Sequence, residues 1–334
     1  MNGQNRIGTL QLQAGAGEIA QMKSQLQKDP QFVVVILLVL LAAGTNLAPI
    51  GVGVGFASAQ DPASCLQLVH EAVANEVAAN NNSTKHMFRA RKQTSQGSQT
   101  KLYVETRDAM VGMTIAFNDR PLAPQDIQTE ERRLEGLAGN PEQLRRKHSQ
   151  EQENAERTLR IVKALPDAFL YQYDGEESGE ASGDAGHQLV RLRFRPNPAY
   201  QPPTHAEQVL VGMQGFLVID PASRRLARID GTLFKEVAFG WGILGHLDKG
   251  GHFLVEQRDI GNGCWEVSRM SLNLTGKILL FKNLALKSDE VFSDFRPVPS
   301  GITFAEGVEM LKAEKVKLAQ NRGAETIDPQ NQSH

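Results

Sequence analysis

Residues 215–233 read GFLVIDPASRRLARIDGTL, and this stretch predicts a β-hairpin. Its first apolar segment ends at Asp220 and Pro221, where proline presets the turn angle and the aspartate carboxylate can bond the backbone beyond it. A second β-rich segment, 226–233, follows the turn. Asp220 is therefore interpreted as a turn residue and not as a catalytic acid.

The segment VRLRFR at 190–195 predicts a strand that is buried on one side. Val190, Leu192 and Phe194 share one face, because side chains alternate along a strand. The opposite face is interpreted as solvated, with a ligand clamp as the alternative, and it carries Arg191, Arg193 and Arg195.

Further strands are predicted on both sides of these segments. Residues 86–94 and 101–117 are β-rich around the turn-like 95–98. Beyond the hairpin, glycine-containing turns separate three more β-rich segments, which are 253–260, 265–274 and 277–287. Together these patterns predict a meander of antiparallel strands.

Helices are predicted at three places. Apolar residues recur at helical spacing over 62–79 and again from Phe304 to Leu318. Residues 123–165 are rich in charge, carry a thin apolar stripe, and are broken at 139–141. A narrow stripe on a charged helix is typical of a helix lying on a surface. The tail 316–334 is expected to be disordered.

The N-terminal part predicts export from the cytoplasm. The apolar run 32–43 is too short to span a membrane and has the length of a signal-peptide core. Small residues at Ala57 and Ala59 predict cleavage after Ala59, and the start is either Met1 or Met22. The mature chain is expected in the periplasm. The alternative is an inner-membrane anchor formed by 32–56.

Composition predicts a single globular domain over 60–315 after the 1–59 extension. The formal net charge of −2 gives no electrostatic case for nucleic-acid binding. Cys65 and Cys264 are the only cysteines in the chain. In an oxidising compartment they are candidates for a disulfide, and two separate thiols are the alternative.

Several of these segments together resemble uncharacterised bacterial exported proteins similar to the outer-membrane lipoprotein carrier (LolA-like) superfamily. The resemblance covers roughly 60–298 and is best over 209–298. The motifs that carry it are 215–220, 225–231, 239–242, 247–250 and 292–295. It implies an α+β fold, in which a strongly curved antiparallel sheet forms an unclosed half-barrel covered by helices, with 123–165 as a charged helical insertion.

The resemblance also implies a non-enzymatic carrier that holds acyl chains in an apolar cavity between sheet and helices. The expected ligand is a lipid or an acylated protein, with transient membrane contact and a monomeric chain. No catalytic residue, metal site or cofactor is predicted, since scattered histidines such as His187, His246 and His252 form no ligand motif. Residues expected to line the cavity are Val190, Leu192, Phe194, Phe216, Val218, Trp241 and Phe253.

The second hypothesis assigns the function to the charged helices. In it, 123–165 docks a protein partner in the cell envelope, and the sheet is only a scaffold.

Overall fold

The computed structural model describes residues 61–81, 84–179, 188–239, 245–278 and 282–325. The predicted signal peptide, its cleavage site and the alternative anchor 32–56 lie outside these residues. The helices are α1 (Pro62–Asn81), α2 (Pro124–Ala138), α3 (Pro141–Ala168) and α4 (Phe304–Glu325), with a 3-10 helix at Glu207–Gly212. The strands are β1 (His86–Thr94), β2 (Gly97–Val104), β3 (Val111–Phe117), β4 (Arg120–Pro121), β5 (Phe169–Ser178), β6 (Gln188–Pro196), β7 (Met213–Asp220), β8 (Arg225–Leu233), β9 (Val237–Phe239), β10 (Gly245–Leu247), β11 (His252–Asp259), β12 (Trp265–Ile278) and β13 (Lys282–Pro297).

All thirteen described strands belong to one antiparallel sheet. Its main order is β4-β3-β2-β1-β13-β12-β11-β8-β7-β6-β5, and β9 and β10 join it beside β12. Within the described part of the chain the sheet stays open, with β4 at one edge and β5 at the other. The α+β class and the large, unclosed antiparallel sheet are therefore confirmed.

The predicted hairpin forms as β7 and β8, and Asp220 is its turn residue. The Asp220 Oδ1 atom accepts a hydrogen bond from the Ala222 backbone N–H at 2.7 Å, and Oδ2 accepts one from the Ser223 hydroxyl at 3.0 Å. The strand predicted at 190–195 is also present, as β6.

The turn predicted near Gly276 is wrong, because β12 runs through it to Ile278. A Cβ atom at Gly276 would lie 2.1 Å from the carbonyl oxygen of His246 in β10. The glycine thus allows the backbone of β10 to approach closely, which is another common reason for glycine inside a strand.

The disordered tail predicted from 316 is also wrong for its first part, since α4 continues to Glu325. Two contacts near the predicted boundary anchor this helix. Lys315 pairs with Glu131 of α2, and Leu318 packs against a buried cluster formed by α2, α4 and β1–β3. Residues 326–334 lie outside the described part.

The charged insertion forms α2 and α3, but only part of it lies on the surface. Asn140 begins α3 by accepting a hydrogen bond from the Gln143 N–H at 3.0 Å. The C-terminal half of α3 is core, with Ile161, Val162 and Leu165 buried. The thin apolar stripe in the sequence did not predict this burial, because only the last turns of α3 reach the sheet.

Helix α2 also protects an edge of the sheet. The Thr114 N–H donates to Glu130 Oε1 at 2.8 Å, and Arg133 Nη2 donates to the Gly112 carbonyl at 2.9 Å. Because β4 has only two residues, much of β3 lacks a strand partner on this side. The side chains of α2 satisfy backbone groups that an open edge would expose.

Two cores hold the helices on the sheet. The main core joins α1 and the C-terminal half of α3 to strands β5–β8, β11 and β12. The second core joins α2 and α4 to β1–β3.

Strand register places these cores on opposite faces of the sheet. Leu286 packs against the main core, and Phe292 shares its face because the two are an even number of positions apart. Phe292 pairs with Ala90 in β1, and Ala90 pairs with Lys101 in β2, so these three side chains point to the same face of the sheet. Leu102 follows Lys101 along β2 and therefore points to the opposite face, where it joins the second core.

Candidate functional site

A small apolar cavity lies in the main core, where α3 and the 3-10 helix meet the sheet. Its volume is about 20 Å³. The lining residues are Ile161, Leu165, Phe169, Tyr171, Phe194, Val209, Leu210, Met213, Leu217, Ile229 and Phe253. The hydroxyl of Tyr171 donates to the Leu165 carbonyl at 2.8 Å, so this polar group is satisfied within the wall.

The cavity is small compared with any acyl chain. A void of 10–15 Å³ on this measure holds about one water molecule. The interior is therefore nearly filled, and a long apolar ligand enters only if helices move away from the sheet.

Four of the predicted cavity residues belong to the main core. Phe194 and Phe253 line the cavity itself, and Val190 and Leu192 are buried beside it. Trp241 lies outside the described residues.

The predictions for Phe216 and Val218 are wrong about the face. Val218 is buried in a small separate cluster with Trp265, and the Phe216 ring lies under the guanidinium of Arg191, 5.3 Å from its centroid. The run FLVI at 216–219 is apolar at every position, so its pattern cannot separate the two faces of the strand.

Arg191, Arg193 and Arg195 lie on the outer face of β6 that was predicted for them, and the first two pair with one carboxylate. Arg191 Nη2 lies 2.8 Å from Asp174 Oδ2, and Arg193 Nη2 lies 2.7 Å from Asp174 Oδ1.

Polar contacts hold α1 over the main core. The guanidinium of Arg225, in β8, donates from Nε to Glu76 Oε1 at 2.8 Å and from Nη2 to Oε2 at 3.0 Å. The Leu226 N–H donates to the same carboxylate at 3.0 Å. Both charged side chains are buried, with exposed fractions of 8% for Arg225 and 2% for Glu76. We call this pair the α1 latch.

An aromatic patch continues the face of the main core onto β1, β2 and β13. The Phe88 ring stacks on Tyr103, with centroids 5.3 Å apart, and on Phe295 at 5.4 Å. Phe292 lies 6.1 Å from Phe88. All four rings are partly exposed. No sequence pattern predicts this patch, because its members come from three strands that pair only in the folded chain.

A wider groove of about 450 Å³ runs along the outer side of α3. It is open and of mixed polarity. Its walls are Glu156, Leu159, Arg160, Lys163, Ala164 and Asp167 on α3, Tyr200 and Pro203 on the loop opposite, and Glu207 at the start of the 3-10 helix.

The two cysteines are thiols and not the disulfide considered from the sequence. Cys65 is buried in the first turns of α1, within the main core. Cys264 precedes β12, where its Sγ atom lies 4.0 Å from His86 Nε2. The two cysteines thus lie in different parts of the fold, one in α1 and the other before β12.

Two groups of possible metal-ligating side chains occur among the described residues. One combines His86, Cys264 and Glu266. The other is at the surface, where His246 Nε2 lies 3.3 Å from Asp248 and 4.0 Å from Glu236. His252 instead pairs with Asp230 at 2.8 Å. His187 lies outside the described residues.

Comparison with known proteins gave no match to any family model, curated protein or solved structure. In the described ranges, none of the helices combines the length and the apolar character needed to cross a membrane. The resemblance to the LolA-like superfamily therefore stays a prediction drawn from sequence motifs.

Proposed function

We propose that this protein is an exported, non-enzymatic carrier that binds acyl chains of a lipid or lipoprotein between its sheet and helices. The observation that carries the proposal is the small cavity at the junction of α3 and the sheet, whose lining is apolar apart from one satisfied hydroxyl. Sites for small apolar ligands are usually apolar pockets of about 300–1,000 Å³, so this cavity marks the place where the core would widen to admit a ligand.

In this proposal the sheet is a curved half-barrel, and α1 and α3 cover its concave side as a lid over the main core. Binding separates the lid from the sheet, and the acyl chain takes the place of helix side chains against the strands. Each methylene removed from water contributes about 0.8 kcal/mol, so a long chain offsets the lost helix contacts.

The aromatic patch extends the same face beyond the lid. Its rings are partly exposed in the closed state, and contiguous exposed apolar surface is a common sign of a ligand or membrane contact. We propose that the patch first receives the acyl chain, which then moves under α1.

Blocking the cavity tests the proposal. We would titrate the full chain with a fluorescent long-chain fatty acid and compare Val209→Phe, which fills the cavity, with Val291→Phe. Val209 is buried in the cavity wall, whereas Val291 is exposed on the opposite face of β13. We expect binding by the wild-type chain and Val291→Phe, and a loss of at least roughly tenfold in affinity for Val209→Phe.

The milder Val209→Leu variant serves if the larger ring prevents folding, because overpacking a core costs about 1–3 kcal/mol. Thermal unfolding of each variant confirms that it is folded. Absence of fatty-acid binding by the wild-type chain, or equal binding by all variants, would refute the cavity as the site.

The open groove along α3 favours a second function, in which the insertion docks a protein partner in the envelope. Deleting 123–165 is an unsuitable test, since it removes Leu134 and Ile161 from the two cores. Lys163→Glu changes the groove without touching either core. If Lys163→Glu loses partner capture but still binds the fatty acid, the result would support docking at the groove. If it keeps partner capture but loses fatty-acid binding, the groove would be excluded as the docking site.

A further inference from the structure

Three side chains that are distant in the sequence converge beside the start of β12. His86 is the first residue of β1, Cys264 lies in the turn between β11 and β12, and Glu266 is the second residue of β12. One ring nitrogen of His86, the Cys264 Sγ atom and one carboxylate oxygen of Glu266 all lie within 4.8 Å of one another. The fold thus brings a nitrogen, a sulfur and an oxygen, the three kinds of atom that bind zinc in proteins, within the reach of one ion.

The spacing of these atoms suits a tetrahedral ion after a small adjustment. Bonds of ~2.0–2.3 Å from zinc to oxygen, nitrogen and sulfur place tetrahedral ligand atoms ~3.3–3.6 Å apart. The distance of 3.3 Å between His86 Nδ1 and Glu266 Oε1 already falls in this range. The widest separation in the group is at most 4.8 Å, so it has to contract by about 1 Å. Rotation about the side-chain bonds of Cys264 and Glu266 supplies a movement of this size.

A buried nitrogen of the imidazole lacks a hydrogen bond. The His86 side chain is only 5% exposed, and its Nδ1 atom has no hydrogen-bond partner among the described residues. The 3.3 Å between Nδ1 and Glu266 Oε1 is short enough for such a bond, but the two atoms are not aligned for one. A buried polar atom without a partner is rare in native proteins and calls for an explanation. Two ligands of one ion have this arrangement, because both direct lone pairs at the ion and not at each other.

The Glu266 carboxylate is also buried, at 7% exposure. In the described ranges its one ion-pair partner is His86, which supplies a positive charge only while the imidazole is protonated. Buried charges in proteins are paired or coordinate metals. A second carboxylate lies close by, since Glu105 Oε2 accepts the His86 backbone N–H at 2.8 Å. A divalent cation would give Glu266 a counter-charge that does not depend on a proton.

The thiol lies on the accessible side of the group. Cys264 is partly exposed, and residues 261–263 before it are exposed. Asp259 Oδ1 accepts from the Gly261 N–H at 2.7 Å, and the Cys264 N–H donates to the Gly261 carbonyl at 3.1 Å. These bonds fix the turn that carries the sulfur. An ion can therefore reach the group from solvent at this turn while the other two ligands stay buried.

We propose that His86, Cys264 and Glu266 bind one zinc ion, with water in the fourth position of the tetrahedron. A thiolate beside an imidazole favours zinc over magnesium and calcium, which prefer oxygen ligands. Three protein ligands with one open position are typical of zinc sites that keep a water molecule. On binding, the thiol proton and any proton on the imidazole leave to solvent. The ion would link the start of β1 to the turn before β12, across the intervening strand β13.

The second group of possible ligands gives a matched control. Glu236, His246 and Asp248 also place three ligand atoms within 4.8 Å, but Glu236 is exposed and the other two are partly exposed. This group contains no sulfur, and water competes with an ion at each of its members. His246→Gln should therefore leave tight zinc binding unchanged. Cys65→Ser is the control for the thiol, because Cys65 lies in the main core.

The test uses the full chain, freed of metal with a chelator that is then removed. Calorimetric titration with Zn²⁺ gives the stoichiometry and affinity. Co²⁺ serves as the spectroscopic probe, because a cobalt–thiolate bond adds a charge-transfer band and tetrahedral cobalt absorbs strongly in the visible. We expect one tightly bound ion per chain and both spectral features. Cys264→Ser should remove the charge-transfer band and weaken zinc binding by roughly 100-fold or more, since losing a group that only orients a ligand already costs about 10–100-fold.

His86→Gln and Glu266→Gln should weaken zinc binding as well, whereas the two controls should match the wild-type chain. Thermal unfolding shows that each variant is folded, and zinc should raise the melting temperature of the wild-type chain but not of Cys264→Ser. If His86→Gln fails to fold, the cobalt spectra of the wild-type chain and Cys264→Ser decide the question. Absence of zinc binding by the wild-type chain, a cobalt spectrum without the thiolate band, or wild-type affinity in Cys264→Ser would overturn the proposal.

Discussion

The α1 latch leads to a prediction about stability whose size follows from its burial. In Glu76→Gln the carboxylate that faces Arg225 becomes an uncharged amide of nearly the same shape. The guanidinium stays buried, where its exposed fraction is 8%, and loses its counter-charge. Breaking a buried ion pair by removing one partner costs about 3–5 kcal/mol.

A neighbouring pair on the same helix gives the matched control. Glu71 Oε2 lies 2.6 Å from Arg224 Nη1, and these side chains are 38% and 39% exposed. Because solvent screens such a pair, Glu71→Gln should cost only about 0–1 kcal/mol. The two variants make the same chemical change on one helix and differ in burial.

Urea unfolding at neutral pH measures the free energy of unfolding of each variant. The expected loss in Glu76→Gln is a large part of the ~5–15 kcal/mol typical of a domain. Replacing both partners, as in Glu76→Gln with Arg225→Met, should recover most of it, since no buried charge is left alone. If Glu76→Gln costs no more than Glu71→Gln, the reasoning about the latch is wrong.

Three further predictions concern pH, helix glycines and one buried hydroxyl. The pKa of His86 is about 10 in the folded chain and near 6.5 in the unfolded chain, so its contribution to stability is complete below about pH 6.5 and is lost as the pH rises towards 10. The free energies of unfolding of the wild-type chain and His86→Gln, measured with urea, should therefore converge with rising pH. A difference that stays constant with pH would contradict the raised pKa. Gly136→Ala in α2 should stabilise the protein by about 0.5–1 kcal/mol, because a Cβ atom there meets nothing within 4 Å. Gly307→Ala in α4 should destabilise it, because the new Cβ atom would lie 2.8 Å from a threonine methyl. Equal shifts in the melting temperatures of the two variants would refute this contrast. Tyr171→Phe should cost about 1 kcal/mol, the net contribution of one buried hydrogen bond, and an unchanged free energy of unfolding would show that this bond does not contribute.

Much of the local structure could be predicted because the sequence pattern is specific there. The alternation at 190–195 separates the two sides of β6, and Asp220 with Pro221 marks the turn between β7 and β8. The spacing of Val69 and Val73 identifies the buried side of α1. In each of these cases, a local periodicity or a turn residue determines which side of the element is buried or where the chain turns.

The features that could not be predicted depend on pairing between distant strands. The face of Phe216 was ambiguous, because its neighbours are apolar on both sides. Thr275 and Gly276 have the composition of a turn, but Gly276 lies inside β12 and against the paired strand β10. The contact of His86 with Cys264 joins opposite ends of the domain sequence and leaves no motif in either segment.

The pairing of β1 with β13 has a consequence for the order of folding. Among the described strands, β1–β4 join the rest of the sheet only through β13, the last of these strands in sequence. A chain that emerges from its N-terminus therefore cannot complete its sheet until its final strand is available, and β1 keeps an unpaired edge in the meantime. Such non-local pairing is slow to form and prone to aggregation while it is incomplete. The interval before β13 forms is therefore the one in which this sheet is most exposed to aggregation.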